Sequence, residues 1–84
     1  MERTRLLVRN LDLSVTREEL RGLFSNYGEV RRVKINEGGS ALVLMSSESE
    51  AEGAKEALDL SDFRGRVLRV YEARPYRSGV YRSS

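Results

Sequence analysis

Two short stretches, TREE (Thr16 to Glu19) and SESE (Ser47 to Glu50), each set a hydroxyl side chain three residues ahead of a glutamate. In that spacing the hydroxyl accepts from a backbone N–H of the first turn and the glutamate reaches back to the cap, so each stretch marks a helix start. After the first, Leu20, Leu23, Phe24 and Tyr27 recur at helical spacing and predict an apolar stripe, with Tyr27 in the core and Gly28 as a left-handed stop. After the second, Ala51, Ala54, Ala57 and Leu58 fall on one face, and Gly53 within that helix costs about 1 kcal/mol relative to alanine.

The segments around these helices alternate with a period of two. In TRLLVRN (Thr4 to Asn10), Leu6 and Val8 point one way and Arg5, Leu7 and Arg9 the other. EVRRVKIN (Glu29 to Asn36) sets Val33 and Ile35 against Arg32, Lys34 and Asn36. Glu37-Gly38-Gly39 then closes a hairpin, and with no helix following them the glycines are a turn and not a phosphate cradle. RVLRVYEA (Arg66 to Ala73) predicts a last strand with Leu68 and Val70 inward and Arg69, Tyr71 and Ala73 outward, ended by Pro75. The order strand, helix, strand, strand, helix, strand is the split βαβ pattern. It predicts an α+β, ferredoxin-like fold: a four-stranded antiparallel sheet with both helices on one face.

The strand GGSALVLM (Gly38 to Met45) breaks the rule that a sheet with one wet face alternates apolar and polar residues. Ala41, Val43 and Met45 share one side, and Ser40, Leu42 and Leu44 the other. With helices on one face only, Leu7, Leu42 and Leu44 form an aliphatic patch on the open face among Arg5, Arg9 and Ser40.

Composition narrows what such a patch serves. The chain has no cysteine and no histidine, which removes disulfides, thiolate metal sites, the usual general base and the commonest metal ligand. No cofactor, metal or catalytic residue is expected, and no enzyme: there is neither a convergent carboxylate pair nor a phosphate loop. No apolar run is long enough to span a membrane, and Met1 to Arg5 carries no signal region, so the expected setting is intracellular. The net charge of +2 conceals segregation: residues 37–63 hold seven acids against Lys55, and residues 64–84 hold six arginines against Glu72. Thirteen of the fifteen cations are Arg, which stacks on flat rings and forks onto phosphate. The acidic run from Glu48 to Glu56 is read as a solvated helix face.

From about Arg5 to Arg74 the chain resembles an RNA recognition motif. LLVRNL (Leu6 to Leu11) lies where that family has its RNP hexapeptide, and GGSALVLM where it has its octapeptide. SVTREELRGLFSNYGEV (Ser14 to Val30) and GRVLRVYEARP (Gly65 to Pro75) resemble the family's first helix and its fourth strand with its exit. The family stacks bases on aromatic residues at places held here by Leu7, Ser40 and Leu42, and Gly38 replaces a leading basic residue. VRRVKINEGGSALVLM (Val30 to Met45) is similar to the aromatic-poor domains that bind polypyrimidine tracts, which hold single strands on aliphatic and polar side chains.

Two functions follow as expectations. In the first, single-stranded RNA is bound on the open face: Arg5, Arg9, Arg32, Lys34 and Arg69 meet phosphates or bases, Leu7, Ser40 and Leu42 form the platform, and Tyr71, Arg74 and Tyr76 close over the ligand. In the second, the aliphatic sheet binds a protein partner or a second copy, although a monomer is the expected state. Residues 1–75 form the domain and 76–84 a flexible tail, in which Tyr76 and Tyr81 beside arginines suggest a lid over the sheet. Asn10 is read as a turn residue and not a base contact.

Overall fold

A computed structural model describes residues 4–73 of the 84-residue chain. Helix α1 (Arg17–Ser25) starts on the first hydroxyl–glutamate pair: the Glu19 N–H donates to the Thr16 hydroxyl at 3.1 Å, and the Thr16 N–H donates to the Glu19 carboxylate at 3.0 Å. Helix α2 (Glu48–Leu58) uses half of the same device. The Ser47 hydroxyl accepts from the Glu50 N–H at 3.2 Å, but Glu50 accepts instead from the Ser46 hydroxyl at 2.6 Å and the Glu29 N–H at 3.3 Å.

Glu50 also explains Gly28. A Cβ there would lie 2.5 Å from the Glu50 side chain, so a close approach fixes the glycine. It does not end α1, as the sequence led us to expect: the helix stops at Ser25, with Asn26 as a right-handed cap. That early stop corrects a second expectation, since Tyr27 lies beyond the helix and is 39% exposed instead of in the core.

The strands are β1 (Arg5–Arg9), β2 (Val30–Asn36), β3 (Ser40–Met45), β4 (Asp62–Phe63), β5 (Arg66–Val67) and β6 (Arg69–Glu72). Four of them form an antiparallel sheet in the order β2-β3-β1-β6. A bulge between Val30 and Arg32 shifts the parity of β2, so Val30 and Val33 are both buried. Ile35 follows Val33 on the inner side but, near the end of an edge strand, is 40% exposed. The core lies between the inner sheet face and the helices: Leu6, Val8, Val33, Ala41, Val43, Met45 and Val70 pack with Leu20, Phe24, Ala51, Ala54 and Leu58. Ala57 does not join them. It lies one residue, about 100°, around the helix from Leu58 and is exposed.

The last strand is not one run from Arg66 to Ala73. Leu68 interrupts it, donating its N–H to the Ser61 carbonyl at 2.8 Å and accepting from the Leu60 N–H at 2.7 Å. Ahead of it, β4 and β5 pair as a hairpin around Arg64 and Gly65, both at positive φ as a type I′ hairpin turn requires. This hairpin docks on the β1–α1 loop. The Asn10 amide donates to the Val67 carbonyl at 2.8 Å and accepts from Arg66 at 2.8 Å, while Arg64 donates to Ser14 at 2.8 Å and pairs with Glu19. Asn10, at φ 69°, thus organises its loop.

The β2–β3 turn is held to the same loop. Gly39 has φ 80°, a Cβ on it would lie 2.8 Å from the Leu11 carbonyl oxygen, and its own carbonyl accepts from the Leu11 N–H at 2.9 Å. Among the described residues, no helix is long and apolar enough to cross a membrane.

Candidate nucleic-acid interface

Both helices pack on one side, and the strand register sets the other side out in rows. Lys34 pairs with Leu42, Leu42 with Leu7, and Leu7 with Tyr71, making a line that crosses all four strands. Beside it, Arg32 pairs with Leu44 and Leu44 with Arg5; on the opposite flank Asn36 pairs with Ser40 and Arg9 with Arg69. An aliphatic centre is therefore bordered by cations on both flanks. Leu7, Leu42 and Leu44 are half-buried, whereas the alternate residues Leu6, Val8, Ala41 and Val43 are wholly buried beneath the helices. Arg5, Arg32 and Lys34, with Leu42, Val43 and Leu44, line a depression on this face.

The cations are not equivalent. Among the described residues, Arg5, Arg9, Arg32 and Lys34 form no salt bridge. Arg69 does: its Nε lies 3.1 Å from Asp59 Oδ1, and its guanidinium carbon lies 5.3 Å from the centre of the Tyr71 ring. Asp59 follows α2 as its C-cap, and the same oxygen accepts from the Val70 N–H at 2.9 Å along β6. The Val70 N–H, and after it Arg69, hold the Asp59 carboxyl below its ordinary pKa; Arg69 is raised above its own, chiefly by the Asp59 hydrogen bond.

Tyr71 is the one ring carried by the four-stranded sheet among the described residues, and it is 39% exposed. Phe24 is in the core and Phe63 packs against it. The exposed acids Glu48, Glu52 and Glu56 lie on α2, so charge is divided between the helical side and the open side.

The fold brings Arg5, Leu7, Arg9, Arg32, Lys34, Ser40, Leu42, Arg69 and Tyr71 to one face, as alternation predicts. Arg74, Tyr76 and the rest of the proposed lid lie outside the described residues. Leu44 belongs with the site by its place in the depression, and the period-two pattern of β3 already marked it. Asp59 had no such signal, because it reaches β6 only once the chain has turned back through the β4–β5 hairpin.

The RNA recognition motif family profile matches residues 6–69. The mouse and human proteins named splicing factor, proline- and glutamine-rich, are each 44% identical over 70 residues, covering 82% of this chain and 10% of theirs. RbpE of Nostoc sp. is 39% identical over 77 residues, covering 83% of this chain and 78% of its own. The chain thus spans about a tenth of the splicing factors' length. Among solved structures, the C. elegans NONO-1 homodimer matches with a TM-score of 0.81 and 38% identity, covering 84% of this chain and 29% of that one.

Proposed function

The chain belongs to the RNA recognition motif family, and we propose that it binds single-stranded RNA across the open face of its sheet. The observation that carries this reading is the set of four cations, Arg5, Arg9, Arg32 and Lys34, without ion-pair partners among the described residues, around a half-buried leucine row. In this reading the cations neutralise phosphates, and Leu7, Ser40, Leu42 and Leu44 carry the bases. Tyr71 supplies a ring. Each base–aromatic stack is worth about 1–3 kcal/mol. With one ring on the sheet among the described residues, affinity leans on phosphate contacts, and salt dependence becomes the signature. The logarithm of affinity for a short oligo-U should fall with log salt at about −0.7 per phosphate neutralised, so about −3 for four.

A second reading has one observation in its favour: the NONO-1 structure is of a homodimer, and an aliphatic row on an open face suits a protein contact. Binding of oligo-U measured by fluorescence anisotropy between 50 and 200 mM salt, about the range over which phosphate contacts are lost, separates the two. A steep loss of affinity supports RNA. Negligible RNA binding beside a salt-insensitive dimer supports protein contact. An intracellular setting accords with a relative named as a splicing factor.

A further inference from the structure

We propose that Asp59, acting through Arg69, is the positioning element for Tyr71, and that Arg69 backs one face of that ring instead of contacting phosphate. This rests on the RNA-binding reading for its functional meaning and on geometry for its existence.

Asp59 is fixed at both ends. Its backbone N–H donates to the Lys55 carbonyl at 2.9 Å, tying it to the last turn of α2, and its carboxylate accepts from the Val70 N–H at 2.9 Å. The same oxygen takes Arg69 Nε at 3.1 Å, so Arg69 is drawn towards the edge of the sheet by an anchored acid. From there its guanidinium lies over Tyr71, 5.3 Å from the ring centre and within the roughly 6 Å at which a cation and a ring attract.

Two consequences follow from that arrangement. The charge of Arg69 is largely balanced by a carboxylate in contact with it, so a phosphate gains little by approaching it. The four cations elsewhere on the face have no such balance among the described residues. Tyr71, backed on one side, is ordered before any ligand arrives, and a base stacking on its other face does not bear the cost of fixing the ring. The preferred ligand element is a base with an accessible flat face, lying beside Leu7 at the β6 end of the central row.

The test compares Asp59→Asn, Arg69→Gln and Lys34→Gln in the full chain. Oligo-U affinity is measured across a salt series, Tyr71 ring proton shifts are recorded without RNA, and thermal melts check folding. The expected result is that Arg69→Gln and Asp59→Asn both move the Tyr71 ring signals and weaken binding about two- to fivefold, the scale of an exposed cation–ring contact. Their salt slopes stay at the parent value, while Lys34→Gln makes the slope shallower by about 0.7. The proposal is overturned if Arg69→Gln reduces the slope as Lys34→Gln does. It is equally overturned if Asp59→Asn tightens binding and steepens the slope, because Arg69 then serves phosphate once released. If the parent protein binds no RNA, the RNA reading fails separately; unchanged Tyr71 ring signals in the RNA-free variants overturn the positioning role alone.

Discussion

The two ends of the central row on the open face differ in what their cations do. At the β2 end, Lys34 and its neighbour Arg32 stand beside leucines with no acid bound to them among the described residues. At the β6 end, Arg69 has the same parity and the same outward direction, yet it is engaged by Asp59 and laid over Tyr71. What separates them is the element behind each edge. The end of α2 delivers a carboxylate to β6. Counting arginines on a face therefore overstates the charge it offers to a phosphate, and the β2–β3–β1 side is the electrostatic half of the surface. The β6 side is its aromatic half.

The most severe way to break this division is to put a carboxylate at its centre. Leu42→Asp places a negative charge between Lys34 and Leu7 and should abolish detectable RNA binding, while circular dichroism and melting show a folded domain, because Leu42 lies on the side away from the core. Leu42→Phe extends the aromatic half towards β3 and should tighten RNA binding by up to about 1–3 kcal/mol. If neither change alters RNA affinity and Leu42→Asp instead dissolves a dimer, the face serves protein contact.

A smaller effect comes through pH. Asp59, Glu19 and Asp12 all have carboxyls held below their ordinary values: Asp59 chiefly by the Val70 N–H, Glu19 by the Thr16 N–H and Asp12 by the Ser14 hydroxyl. The folded state binds these protons less readily than the unfolded chain. Their stabilisation is therefore present above the ordinary carboxylate range and lost as pH falls through the lowered folded values. Melting temperature should drop on acidification. Asp59→Asn should flatten part of that drop, an effect confined to the β6 side of the sheet face. An equally steep drop in the variant contradicts the role given to Asp59.

Much of this architecture was legible in the chain. Thr16 and Ser47 marked both helix starts, because a cap is a local interaction over three residues. The alternation in β1, β2 and β3 separated the two sheet faces, because pleating is local too. What escaped was decided at a distance. The β4–β5 hairpin consists of two-residue strands with no period to detect, and its place depends on Asn10 and Ser14 in a loop far back in the sequence. Tyr27 fits the spacing of the α1 stripe but falls beyond a helix that stops at Ser25, and Ala57 sits at the border of a stripe whose width is set by packing. At the site, sequence placed the described side chains on one face but gave no sign of how Arg69 is occupied. Its partner Asp59 belongs to the acidic stretch that alternation leaves unassigned.

In the proposed function the open sheet face, not the helical face, receives single-stranded RNA. An amide-shift NMR titration with short oligo-U, oligo-C and purine-rich RNAs tests it most directly. The expected result is shifts at Leu7, Arg32, Lys34, Leu42, Leu44 and Tyr71, with residues 48–58 of α2 unmoved. Shifts confined to residues 48–58, or none with any of the three RNAs, would contradict it.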